Sequence, residues 1–353
     1  MTDRTLLRNG RLTAAVNPVG AELCSLRNAA DLEMLWQAGP EWPRHAPVLF
    51  PVIGRMADDI LVHNGMRYPM PQHGFARDVE FARVAVSATS AHFRLTDTAR
   101  TDRYFPFSFV LDVQFDLGGD ELSVTYRIGN PSSEATLPAS IGVHPAFRWP
   151  LHDGDAKGSY RLEFSDLESA PVRRVDNVLL RADDQPNPVQ GSSLPLHPGL
   201  FRDGAVILDQ LSSTAVRYQS DDGEGLTLSW SGFEQLAIWS PPDDTDLLCI
   251  EPWFGLPSPA DFDGEYRSKP AQLHLGPGQE REFGLRISLS RKAPGPGARP
   301  KPVGPHAAPA RDETDTQNED VTDRPVVTRV ESFPRQLPTV LGWSGQQLTG
   351  SRE

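Results

Sequence analysis

Apolar and polar residues alternate with a period of two along most of this chain. Phe107, Phe109, Leu111, Val113 and Phe115 are separated by mostly polar neighbours. Gly118-Gly119-Asp120 interrupts them, and Leu122, Val124, Tyr126 and Ile128 resume the alternation. Successive side chains of a strand point to opposite faces, so the pattern predicts a hairpin with one buried face per strand. Comparable runs predict strands at 11–15, 22–26, 81–86, 92–95, 160–164, 205–208, 215–219, 226–230, 236–239, 247–251 and 282–289. Asn9-Gly10 and Asn64-Gly65 sit between such runs, and Asn-Gly is the preferred pair for a type I′ turn. Gly276-Pro277-Gly278 supplies another reversal. No window holds a helical period for three turns, and no propeller or solenoid repeat is visible. Many short strands joined by turn signals predict an all-β fold, a sandwich or barrel, with 184–198 as a long loop over one rim.

Composition divides the chain. Its 353 residues are only 38% hydrophobic, and the dilution lies at the end. From Lys292 the chain runs through Ala-Pro-Gly-Pro-Gly-Ala-Arg-Pro-Lys-Pro into a polar stretch around 312–323. Such a segment buries too little apolar surface to offset its ordering entropy. Residues 292–353 are therefore expected to form a disordered C-terminal tail and 1–291 the folded domain, with a short docking motif at 333–343 as the alternative. The tail holds 8 basic and 8 acidic residues, so the folded part keeps the whole formal charge of −13. A net acidic body without a Lys/Arg cluster argues against a nucleic-acid partner.

The chain starts without an apolar signal region and holds no apolar run of membrane-spanning length. A cytoplasmic protein with no membrane contact is expected, as monomer or dimer. Cys24 and Cys249 are expected to be reduced, half-buried thiols, with nothing at ligand spacing around either in sequence.

Three distant segments each hold an ionisable group among Gly, Pro or aromatic neighbours. They are Pro71-Gln72-His73-Gly74-Phe75-Ala76-Arg77, Gly142-Val143-His144-Pro145-Ala146-Phe147 and Cys249-Ile250-Glu251-Pro252-Trp253. Two imidazoles and a carboxylate suit proton transfer. Glu251 is expected to end an apolar strand, where partial desolvation favours its neutral form and strengthens it as a base. Trp253 offers a flat face of the kind sugar rings stack on. The other reading of Glu251 is a strand-end residue bonded to backbone or an arginine. A strand is expected to stop at His144, because Pro145 removes the next ladder donor, and to present the imidazole at a rim. His73, between Pro71 and Gly74, has the same character, and Arg77 falls near the same rim if this segment crosses the sandwich mouth. Either histidine is otherwise a satisfied structural residue. Arg55 ends the apolar run Phe50-Pro51-Val52-Ile53-Gly54, as a site residue or a surface arginine.

Other constellations fail. Ser140, His144 and Asp209 lack a Gly-x-Ser-x-Gly elbow for a hydrolase triad. His73 and His144 lack the tight His pair of most metal motifs, so no metal is expected. There is no phosphate loop.

Four segments in consistent order carry a family resemblance. Leu49-Phe50-Pro51-Val52-Ile53-Gly54-Arg55, Gln72-His73-Gly74-Phe75-Ala76-Arg77-Asp78, Gly142-Val143-His144-Pro145-Ala146-Phe147 and Cys249-Ile250-Glu251-Pro252-Trp253-Phe254-Gly255 resemble the aldose 1-epimerase (galactose mutarotase-like) family. The resemblance points to its LacX-like and glucose-6-phosphate 1-epimerase-like branches, and it spans residues 6–290. It implies a large antiparallel β-sandwich with a sugar cleft over one face, and no cofactor. It implies Glu251 as the base that takes the C1 hydroxyl proton, His144 as the acid that protonates the ring oxygen, and His73 as that oxygen's positioning partner. Arg55 and Asp209 are implied to bind sugar hydroxyls, with Trp253 and Phe75 as aromatic contacts. The expected activity is anomer interconversion of a hexose. Arg55 and Arg77 together would suit a sugar phosphate, whereas Arg77 paired with Asp78 or Glu80 would be structural. A non-catalytic sugar-binding protein on the same scaffold is the rival from another class.

Overall fold

The computed structural model of the chain describes residues 3–242 and 245–290. The expected tail at 292–353, the 333–343 patch and Asp243-Asp244 lie outside these residues. Among the described residues the helical segments are 3-10 turns of three or four residues, and the fold is otherwise built of strands. The all-β expectation holds.

Nine strands form the larger sheet, in the order Ser193–Pro195, Tyr160–Phe164, Ala215–Ser220, Gly225–Ser231, Glu280–Ser290, Glu121–Gly129, Val110–Gly118, Ser90–Thr96, Ala82–Val86. Every neighbouring pair is antiparallel. The expected hairpin forms with Gly118 opposite Glu121. Leu111, Val113, Phe115 and Leu117 are buried with Leu122, Val124, Tyr126 and Ile128, so one face of each strand meets the core. Phe107 and Phe109 precede the first strand and are buried in the same core, so burial there extends beyond the ladder.

The turn signals split. Asn64 (φ 50) and Gly65 (φ 72) form the I′ pair between Ile60–His63 and Met66–Pro69. At Asn9-Gly10 only Gly10 has positive φ (82). There the Asn9 side chain accepts the N–H groups of Arg11 and Leu12 instead, a side-chain turn that competes with the I′ geometry. The 184–198 loop contains the edge strand Ser193–Pro195, too short to leave a periodic signal.

A second sheet carries the chemistry. Its order is Val206–Leu208, Gln235–Trp239, Leu247–Phe254, Ile141–Val143, Val48–Leu49, with Ala146–Arg148 also pairing with Leu247–Phe254. The apolar run over 50–55 forms an irregular segment and not a strand: the strand ends at Leu49, Phe50 makes a single bridge to Gly74, and the chain bends from Pro51 onward.

Candidate functional site

Leu247–Phe254 is buried along its whole length and does not end at Glu251. It runs on through Pro252, which stands opposite Leu236. The residues at 249, 251 and 253 share one face because strand side chains alternate. On the other edge the pairing chain breaks at His144-Pro145, as Pro145 predicts, yet the register is kept across the break. Gly142 faces Trp253 and Ala146 faces Cys249, which sets His144 opposite Glu251. The two side chains meet there, with His144 Nε2 3.3 Å from Glu251 Oε2.

Gly142 explains how Trp253 fits. A Cβ on Gly142 would lie 2.6 Å from Trp253 Cδ1 and 2.7 Å from Ile53 Cδ1, so the indole occupies the volume a side chain would need.

His73 arrives on a loop with two successive left-handed residues, His73 (φ 63) and Gly74 (φ 73). A Cβ on Gly74 would stand 2.1 Å from the Phe50 carbonyl oxygen, so the close approach demands glycine. His73 N–H donates to Gly54 O at 2.7 Å, and Gly54 N–H donates to His73 Nδ1 at 3.1 Å. With Nδ1 an acceptor, the neutral ring carries its proton on Nε2. Its ring stands edge-on to His144, centroids 5.6 Å apart. Trp42 stacks on His144 at 4.9 Å and Trp239 meets it edge-on at 6.0 Å, fixing the imidazole plane.

These groups line a cavity of about 350 Å³, within the range of small-molecule sites. Its other walls include Gln72, Arg77, Pro257 and the Asn177-Val178 turn. Val178 sits at φ 65, a costly backbone for a β-branched residue, and it does so at the pocket wall. A cleft of about 490 Å³ elsewhere also holds an acid–base contact, His152 with Glu224. Those side chains are each 37% exposed, against 8% and 2% for His144 and Glu251.

Burial sets the proton affinities. Desolvation raises the Glu251 carboxyl well above its ordinary value, opposed by Trp253. Its Oε2 and the Trp253 Nε1 both lack a well-aligned hydrogen bond. Desolvation, with the Arg77 charge second, lowers His144 to about 3. His73 is also lowered, by burial first and then by His144 and Arg77. Burial thus favours a neutral carboxyl beside a neutral imidazole over their charged forms, a pair with one dissociable proton.

The structure brings His73, Arg77, His144, Glu251 and Trp253 together at the cavity. It places three expected residues elsewhere. Arg55 is clamped by Asp59 through two 2.6 Å bonds and reaches the rim only through Asn177, at 3.3 Å. A carboxylate four residues on captured the guanidinium. Phe75 is a core residue, packed among Phe50, Phe105 and Phe109. Asp209 contacts Arg173 at 3.5 Å and does not line the cavity. Arg77 donates to Gln72 O at 2.6 Å, and its buried Nε, without a hydrogen bond, stands 3.7 Å from Asp78 Oδ2, the pairing expected of a structural arginine.

Sequence reasoning missed Trp42, Trp239 and the Asn177-Val178 turn. The bracketing of Trp42 by Pro40 and Pro43 was the one local signal available. Both cysteines are reduced, and both are fully buried rather than half-buried. Neither is isolated: Cys24 stands with Glu22 and His45, and Cys249 with Glu251 and His144. Strand alternation and tertiary contact assemble these sets, which linear spacing conceals.

A family model described as Aldose 1-epimerase matches residues 3–274. The chain belongs to the aldose 1-epimerase family. It is 32% identical over 274 residues to the plasmid-encoded protein LacX of Lactococcus lactis subsp. lactis, covering 75% of this chain and 92% of that one. A galactose mutarotase-like protein from Lactobacillus casei ATCC 334 is 32% identical, with a TM-score of 0.76 over 81% of this chain and 100% of its own. The galactose mutarotase related enzyme from Lactobacillus acidophilus is 30% identical, with a TM-score of 0.74 over 82% and 98%. The fold is thus the galactose mutarotase-like sandwich, and the family is one of sugar epimerases. No helix among the described residues is long and apolar enough to cross a membrane.

Proposed function

We propose that this protein is an aldose 1-epimerase that interconverts the α and β anomers of a hexose through Glu251, His144 and His73. The observation that carries the reading is the 3.3 Å contact between a buried carboxyl and a buried imidazole at the wall of a cavity of about 350 Å³.

Ring opening takes a proton from O1 and delivers one to O5, while the O1 electrons form the aldehyde and the C1–O5 bond breaks. The reactive form has the shared proton on His144, leaving Glu251 as carboxylate. Glu251 then accepts the O1 proton and His144 gives its proton to O5. This returns a neutral carboxyl and a neutral imidazole, the form burial favours. The resting pocket thus matches the open aldehyde, so the low dielectric favours opening once the cyclic sugar is bound. Rotation about C1–C2 and the reverse transfers close the other anomer. No net proton is exchanged with water. His73, with its proton on Nε2, is the neutral donor that holds O5. Each positioned acid or base is worth on the order of 10²–10⁴-fold.

A neutral hexose fits better than a hexose phosphate. The two-arginine clamp that a phosphate would use is incomplete, because Asp59 holds Arg55 while Arg77 alone of the pair lines the cavity. The test is the anomer-exchange rate by NMR on free and phosphorylated hexoses. Acceleration that Glu251→Gln abolishes supports the reading. Sugar binding without acceleration overturns it in favour of a binding protein.

A further inference from the structure

The cluster around Cys24 has no part in the proton transfers above. Glu22 and Cys24 lie two residues apart on the strand Glu22–Asn28, with His45 across from them, and the three ligand atoms fall within 4.8 Å of one another. His45 Nδ1 is buried without a hydrogen-bond partner, in a residue only 9% exposed. It stands 3.8 Å from Glu22 Oε2, too far for a hydrogen bond. The other carboxylate oxygen, Oε1, is fixed by the backbone N–H groups of His45 (2.8 Å) and Ala46 (3.1 Å). Oε2 is thereby aimed toward His45.

We propose that Glu22, Cys24 and His45 form a three-ligand site for a zinc-type divalent transition metal, with water in the fourth position. One carboxylate, one imidazole and one thiol are the donor types zinc accepts. Tetrahedral ligands at ordinary zinc distances place N and O roughly 3.4 Å apart, so the 3.8 Å gap closes with a small side-chain shift. Binding releases the thiol proton to solvent and leaves a thiolate on the metal. The His45 and Glu22 side chains are 11% and 13% exposed, which leaves the metal a route in.

The site would brace the pocket from behind. His45 O accepts from Ala146 N at 2.9 Å and Pro47 O accepts from His144 N at 3.1 Å, so the loop holding His45 is bonded on both sides of His144-Pro145. The same loop carries Trp42, which stacks on His144. A metal at Glu22, Cys24 and His45 would pin this loop to the strand beneath it. The second cluster, His144, Cys249 and Glu251, belongs to the pocket and serves as the internal control.

The experiment is titration of the chelator-treated full chain with Co²⁺, followed by the thiolate-to-cobalt charge-transfer band and competition with Zn²⁺. The wild type is expected to show the band, and Cys24→Ser to lose it. His45→Gln should weaken Co²⁺ binding by at least about tenfold, while Cys249→Ser keeps the band. Should Cys24→Ser fail to fold by circular dichroism, His45→Gln carries the same test. No band in the wild type, or a band lost with Cys249→Ser and kept with Cys24→Ser, overturns the proposal.

Discussion

Glu251 stands opposite His144 in a sheet register that persists across a break in the ladder, and their side chains meet at 3.3 Å. Proline at 145 releases the backbone from pairing, and the unbroken register keeps the side chains facing. At 3.3 Å in a buried site a charge on one partner acts strongly on the other, so the two are expected to titrate as a coupled pair.

Removing either partner should therefore cost nearly as much as removing both. Glu251→Gln and His144→Gln are each expected to lower kcat by on the order of 10²–10⁴-fold. The double variant should fall little further, since groups acting as a unit are non-additive. Polarimetry on fresh α-glucose measures this. Multiplicative losses would show that the two residues act independently.

The pH profile follows from the same pair. The one-proton form is lost in acid only when His144, lowered to about 3 from an ordinary 6.5, takes a second proton. It is lost in base only when the raised Glu251 carboxyl ionises. The acid limb of kcat/KM should thus lie well below pH 6.5, and Glu251→Gln should remove the alkaline limb. Stability has the matching sign. The depressed His144 and His73 contribute stability present above pH 6.5 and lost as pH falls below it, because the unfolded chain then binds protons the folded one refuses. Glu251 works the other way, with stability falling as pH rises above 4.5 toward its raised folded value. An activity profile that breaks at pH 6.5 would refute the burial argument.

Much of the fold was legible because period-two alternation reports a half-buried strand directly. The core strand 160–164 came through residue for residue, and the hairpin did so from Leu111 onward, with Phe107 and Phe109 falling before its first strand. The site was legible where chemistry is local: Pro145 breaking a strand beside His144, and Gly74 beside His73. It was not legible where tertiary capture decides. Arg55 reads as a site residue until Asp59 takes its guanidinium, and Phe75 reads as a sugar platform until it packs on Phe50 and Phe109. Trp42 and Trp239 were hidden for the converse reason: apart from the prolines around Trp42, nothing local marks a tryptophan whose partner is a histidine far away in sequence.

The contrast between the two arginines is testable. Arg77 lines the cavity and meets its carboxylate neighbour Asp78 only at 3.7 Å, whereas Arg55 is held by two 2.6 Å bonds to Asp59. Arg77→Ala should raise KM for the hexose more than Arg55→Ala does, and Arg55→Ala should leave kcat within a few-fold. Steady-state anomer exchange on glucose and glucose 6-phosphate separates the cases. A large loss confined to the phosphorylated sugar in Arg55→Ala would restore the two-arginine clamp.

Gly142 is the least conspicuous residue on which the pocket depends. Adding one methyl there meets Trp253 and Ile53 at 2.6 and 2.7 Å, and both are buried. Overpacking of this kind typically costs about 1–3 kcal/mol. Relief comes most easily by turning the indole into the cavity, because the other directions are filled by core side chains. Gly142→Ala should therefore lower Tm by several degrees, raise KM for the sugar, and shift the Trp253 fluorescence, read against a Trp253→Phe control. Gly74→Ala is the harsher comparison. Its new methyl meets the Phe50 carbonyl oxygen of the backbone at 2.1 Å in a left-handed conformation, so it should destabilise the fold by at least about 2 kcal/mol. Equal effects on KM from the two variants, after correction for the fraction folded, would show that Gly142 acts through general stability and not through the seat of Trp253.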